Sequence, residues 1–149
     1  MGICLGKNNN SCNIMYTETV EELNQQTGGG TCALFSFEGQ KHMCKIVKCY
    51  DGDTVHCVFK HDGIYQRFKI RMLGYDTPEI RTRDAEEKKK GFLAKDRITE
   101  LLLGKVAYIE CGKFDKYGRI LGTIRLNEAD SKTINQMMVD EGYGVPYMV

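Results

Sequence analysis

The run IYQRFKIRML, residues 64–73, constrains the fold more than any other stretch of the chain. Phe68, Ile70 and Met72 alternate with Arg67, Lys69 and Arg71. A period of two puts the apolar set on one face of a strand and the cations on the other. Such a strand needs neighbours to cover its apolar face, and two candidates precede it. MCKIVKCY (43–50) is rich in β-formers and leads into Asp51-Gly52-Asp53. TVHCVFK (54–60) leads into His61-Asp62-Gly63, a hairpin turn.

The period changes after DTPEI. Residues 83–105 read as a long helix with Phe92, Ile98, Leu101 and Leu102 as its apolar face, ended by Gly104. Gly91 inside it costs about 1 kcal/mol relative to Ala and predicts a mild weak point. Lys88, Lys89 and Lys90 read as a solvated face, partly offset by Glu86 and Glu87. VAYIEC (106–111) and RILGTIRL (119–126) read as two more strands around a DKYG turn. TINQMMVDEG (133–142) reads as a shorter helix whose apolar side is Ile134, Met137 and Met138. The predicted fold is α+β and mainly β: a five-stranded OB-type Greek-key barrel with one long helix between strands 3 and 4 and a shorter helix near the C-terminus.

Residues 1–41 differ in texture, and the expected division is a polar, partly flexible segment over 1–41 and a barrel domain over 42–149. Thr19 and Glu22 form a capping box for a short helix in TVEELNQQ, with Gly28–Gly30 as its stop. TCALFSF (31–37) reads as an extra strand. A chain of 149 residues is long enough for one real core, burying roughly 70% of its unfolded surface. No apolar run approaches the ~20 residues of a membrane span. The start, MGICLGKNNN, lacks the apolar stretch of a secretory signal, so an intracellular protein is expected. Gly2 and Cys4 are placed as dual acylation would require, although Gly6 stands where that signal wants Ser or Thr. Acylation there would tether the domain peripherally to a membrane. The seven cysteines include no C-x-x-C pair, which fits reduced thiols acting as small apolar core residues. His42, His56 and His61 do not pair with them at zinc-finger spacing.

The net charge of +1 gives no overall basic field, so a nucleic-acid partner has to be sought in local patches. Three local constellations matter. DGDTV (51–55) is a turn signal in which Asp53 either caps the turn or supplies a hard oxygen ligand suited to calcium. In RMLGYDTPE (71–79), Pro78 stops the ladder and drives Thr77 extended. Past Gly74 the face parity lapses, so Asp76 is free to turn back towards Arg71; the bland alternative is a charged strand end. In DKYGR (115–119), Arg119 is either a surface arginine or a planar fork for phosphate oxygens.

Taken together and in this order, DGDTV, R-x-x-x-x-D-T-P-E and DKYGR resemble the staphylococcal nuclease (thermonuclease) family from about Met43 to Gly142. The resemblance implies an OB-type barrel and a calcium-dependent endonuclease, a hydrolase that cuts DNA and RNA with little sequence preference and leaves 3′-phosphate products. It prefers strands that are single or locally opened. By residue, it implies that Asp53 and Asp76 ligate Ca2+ together with the Thr77 carbonyl. Glu79 then activates or orients the attacking water, and Arg71 and Arg119 hold the phosphate. Lys116 and Tyr117 lie beside the nucleotide, and Asp51 lies just outside the metal shell. The alternative is a non-catalytic nucleic-acid or protein-binding module of the same fold. Two departures from the family pattern stand out. GYGVPYMV is expected to leave no residues for the further C-terminal helix of the family, so either this branch of the family is short or the N-terminal segment, with its apolar run CALFSF, replaces that packing. Tyr147 is a candidate base-stacking residue at an uneven spacing.

Overall fold

The alternating strand takes its place in a closed barrel. A computed structural model describes residues 16–27 and 32–148. Two compact units divide the chain, Met1–Phe35 and Ser36–Val149. In the first, α1 (Val20–Asn24) carries the capping box read from the sequence. The Glu22 carboxylate accepts from the Thr19 N–H at 2.7 Å, and the Thr19 hydroxyl accepts from the Glu22 N–H at 3.2 Å. The helix buries nothing and is over before the glycines, which lie outside the described residues.

The second unit holds β1 (Lys41–Cys49), β2 (Thr54–His61), β3 (Ile64–Met72), β4 (Tyr75–Asp76), α2 (Ala85–Leu102), β5 (Val106–Phe114), β6 (Ile120–Arg125), α3 (Ile134–Asp140) and β7 (Val145–Pro146). The barrel order is β1-β2-β3-β6-β5, closed by the antiparallel pairing of β5 with β1. Only β3 and β6 run parallel within it. The hairpin between β2 and β3 turns on Asp62 and Gly63, both with positive φ. This is the five-stranded, OB-type barrel expected, with the long helix between the third and fourth barrel strands.

Three expectations change on contact with the structure. The run 32–37 is not a strand, and Leu34 lies 96% exposed. Phe37 alone enters the core, where it meets Phe59 and Phe68 edge-on at 5.6 and 5.2 Å. Phe92 is 42% exposed rather than part of the apolar face of α2; Gly91 and Ala94 are buried in its stead. On α3, Asn135 is buried beside Ile134 and Met138, while Met137 is only partly covered. The Asn135 amide donates to the carbonyls of Leu73 and Gly122 and accepts from the Ile124 N–H, which makes a polar residue tolerable there.

The cysteine reading holds where it is visible. Cys44, Cys49, Cys57 and Cys111 are buried free thiols in the barrel, and Cys32 is exposed. Burial pushes the Cys111 thiol up to about 11, so it is protonated and packs as a small apolar group. Gly2 and Cys4 lie outside the described residues. Among those described, no helix is long and apolar enough to cross a membrane.

Candidate active site

The site forms where β2 begins, β3 ends and the chain doubles back. Gly74, at φ +93, makes the bend that a residue with a Cβ would resist. It brings β4 under the end of β3, so that Arg71 meets the chain five residues on. The Arg71 guanidinium donates to the carbonyls of Met72 and Tyr75, at 2.8 Å each. Its other terminal nitrogen pairs with the Asp76 carboxylate and stands 3.4 Å from Asp53. Arg71 lies on the cationic side of β3, yet it is only 9% exposed because β4 and the Asp53 turn cover it.

Asp53 is the hub. One carboxylate oxygen accepts from both the N–H and the hydroxyl of Thr77, each at 3.1 Å, and the other accepts from the Thr54 hydroxyl. The Arg119 guanidinium donates to that same Thr54 hydroxyl at 3.2 Å, which links the β6 side of the rim to the β2 side. Asp115 clamps Arg119, accepting from its Nε–H at 2.6 Å and its backbone N–H at 2.9 Å. Burial works against charge on Asp115, but these bonds outweigh it and hold the carboxyl below its usual range. The Asp51 carboxylate accepts from the Asp53 N–H, and burial, then the charge of Asp53, push its pKa up to about 6.

The packing beneath is equally specific. The buried Tyr75 hydroxyl donates to the Gly52 carbonyl at 2.8 Å and so ties β4 to the Asp51–Asp53 turn. A Cβ on Gly52 would sit 2.7 Å from Ala94 and 2.8 Å from Thr77. A Cβ on Gly91 would sit 2.6 Å from the Pro78 carbonyl. Helix α2 therefore supports the site loop through backbone contact. Strand β7 pairs Val145 with Asp76, and the Tyr147 N–H donates to the Gly74 carbonyl at 2.9 Å.

The structure thus brings Arg71, Asp53, Asp76, Thr77 and, through Thr54, Arg119 to one rim. Glu79, two residues beyond Thr77, is exposed, with its N–H 3.5 Å from the Glu87 carboxylate. Lys116 and Tyr117 are exposed beside Arg119, whose guanidinium lies 5.3 Å from the Tyr117 ring. Sequence reasoning passed over Thr54, Tyr75 and Asp115. All three stand inside the quoted motifs; the Asp115–Arg119 spacing of a polar turn was the signal for the clamp, and nothing around Tyr75 marked it.

The fold is a five-stranded OB-type barrel with two arginines, each held by carboxylates, at one rim. Residues 69–149 match the family described as staphylococcal nuclease homologue, more than half of the chain, and the chain belongs to that family. It is 32% identical over 125 residues to an uncharacterized protein, MJ1439, of Methanocaldococcus jannaschii, covering 70% of this chain and 58% of that one. It is 29% identical over 98 residues to an uncharacterized endonuclease of Escherichia coli, covering 66% of this chain and 56% of the relative. For an uncharacterized endonuclease of Haemophilus influenzae the figures are 27% over 108 residues, 72% and 54%. The chain therefore spans a little over half the length of the curated relatives it matches.

Proposed function

We propose that the protein is a calcium-dependent endonuclease that hydrolyses phosphodiester bonds of DNA and RNA with little sequence specificity, by attack of water on phosphorus. One observation carries this reading: Asp53, Arg71 and Asp76 converge on one point, with Arg119 joined to them through Thr54.

The residues fit a hard cation. The Arg71 guanidinium stands where the two carboxylates converge, so one positive charge reaches both. Their donors are oxygens only, which suits calcium and not zinc. Among the described residues no group of three or more His, Cys, Asp or Glu is placed to hold a metal, so protein carboxylates alone would not fill the shell. Asp53, Asp76 and the Thr77 carbonyl would hold the ion, which would supply Lewis-acid polarisation of the phosphoryl group and a more acidic bound water.

The remaining work belongs to the chain. Arg119, steered by Asp115, presents its fork to the phosphate oxygens; one such preorganised donor is typically worth about 3 kcal/mol in the transition state. Arg71 adds a second fork, once phosphate competes with Asp76 for it. Glu79, exposed two residues beyond Thr77, accepts the proton of the attacking water or holds that water in line. Tyr117 and Lys116 flank the nucleotide.

The second reading, a non-catalytic binding module, draws on the engagement of both terminal nitrogens of Arg71 by protein acceptors. Incubating the purified protein with plasmid and single-stranded DNA, with calcium, magnesium or chelator, separates the two. The nuclease reading expects calcium-dependent degradation that is lost in Glu79→Gln and Arg119→Ala. Intact DNA from folded protein in calcium leaves the module. If Gly2 and Cys4 are acylated, the same chemistry is held at a membrane surface; intact mass after eukaryotic expression reads this directly.

A further inference from the structure

Residues 50–53, between β1 and β2, belong to no helix or strand, yet Asp53 is held in a fixed place. The Tyr50 N–H donates to the Thr54 carbonyl at 2.8 Å, and the Met72 N–H donates to the Asp53 carbonyl at 2.7 Å. Those bonds secure the two ends of the turn. Its middle is Gly52, which is buried and whose carbonyl accepts from the Tyr75 hydroxyl at 2.8 Å. A buried carbonyl needs a partner, and a side chain 23 residues further along supplies it.

Tyr75 is tied at both ends. It is 0% exposed, and its own carbonyl accepts from the Arg71 guanidinium at 2.8 Å. Its hydroxyl end holds the residue before Asp53, and its backbone end is the residue before Asp76. A phenol on two side-chain torsions is a stiff bar between the two segments. The carboxylates at the two ends of that bar converge on one terminal nitrogen of Arg71. Their separation therefore depends on the length and seating of one side chain.

The C-terminal segment builds the seat. Strand β7 pairs Pro146 with Tyr75 and Val145 with Asp76. Gly144, just before β7, lies against the ring: a Cβ there would sit 2.4 Å from Cδ2 and 3.0 Å from Cγ. The φ of Gly144 is not positive, so the ring and not the backbone demands a glycine. A ring that is fully buried and anchored at its hydroxyl has nowhere to swing. A shorter aliphatic side chain at position 75 would leave the Gly52 carbonyl unpaired and Gly144 facing a gap.

We propose that Tyr75, seated by Gly144, is a positioning residue that sets the separation of Asp53 and Asp76 and, through it, the affinity of the site for a divalent cation. The second half of this rests on the calcium reading; the first does not. Without the hydroxyl the turn loses the bond at its middle and Asp53 shifts. The N–H and hydroxyl of Thr77, which donate to Asp53, then lose their aligned acceptor.

The test uses Tyr75→Phe, which keeps the ring and removes the donor, and Gly144→Ala, which keeps the donor and unseats the ring. Ile124→Val, in the core on β6, controls for a general loss of stability. Two quantities are read: hydrogen exchange of the Thr77 N–H in metal-free protein, and calcium affinity by equilibrium dialysis. Relative to the control, Tyr75→Phe should exchange Thr77 about tenfold faster and bind calcium about tenfold more weakly, the low end of what a group supporting a metal ligand is worth. Gly144→Ala should move both quantities the same way. Tyr75→Phe values that match those of Ile124→Val overturn the proposal. Faster exchange with parental calcium affinity overturns its second half. If Gly144→Ala does not fold, Tyr75→Phe alone decides. A parent protein that binds no calcium sinks the calcium reading, and the Thr77 exchange still decides whether Tyr75 sets the carboxylate pair.

Discussion

At the scale of single residues, Arg71 shows how one side chain organises the rim of the barrel. Its guanidinium satisfies two carbonyls and compensates two carboxylates while almost wholly buried. Arg71→Ala leaves those acceptors and charges uncompensated, a loss of about 3 kcal/mol in urea denaturation. Arg71→Lys should recover less than half of that, because an ammonium cannot fork to carbonyls and carboxylates together. His56 carries a pH dependence of opposite origin. Its folded pKa lies below the unfolded value of about 6.5, so the unfolded chain takes up the proton first. Its effect is absent above that value and erodes stability as the pH falls below it. His56→Gln should therefore lose less stability than the parent between pH 7.5 and 5, read as the shift in urea midpoint.

At the scale of elements, α2 is a buttress as much as a cover. The sequence marks Gly91 as a weak point, a residue whose replacement by Ala would strengthen the helix by about 1 kcal/mol. The structure reverses that sign. An alanine Cβ would meet the Pro78 carbonyl at 2.6 Å and Ile80 at 2.9 Å, and the first of these is backbone that cannot swing aside. Gly91→Ala should destabilise by about 1–3 kcal/mol and displace the loop that carries Glu79. Nuclease activity should then fall more steeply than stability, since small misplacements at a reacting centre cost up to about a hundredfold. A variant with raised melting temperature and full activity would contradict this close approach. Gly52 meets α2 in the same way from the Asp51–Asp53 turn.

At the scale of the whole molecule, one aromatic from outside the strands completes the barrel core. Phe37 is 1% exposed among Phe59, Phe68, His61 and Phe114, although the run that contains it forms no strand. Phe37→Ala should cost about 3–5 kcal/mol. Removal of residues 1–35 should leave the melting temperature of the barrel nearly unchanged, whereas removal of residues 1–40 should lower it as far as Phe37→Ala does. Equal stability of the two truncations would show that the aromatic cluster does not depend on Phe37.

Much of this was legible in residue order. Alternation at 64–73, the turns at 51–53 and 61–63 and the change of period at 83 reflect local geometry, which adjacent residues dictate. They determined five barrel strands, a long helix and the break at Pro78, and the three motifs pointed to the arginines and carboxylates. What local pattern could not carry was decided by packing between distant segments. Arg71 is buried because β4 and Asp53 fold over it; Thr54 joins Asp53 to Arg119 across 65 residues of sequence. Gly91 is required by a loop twelve residues upstream, and Phe37, not the run around it, enters the core. Periodicity records which side of an element faces inward; which groups meet across the fold depends on closure of the barrel, and only the tertiary structure sets that.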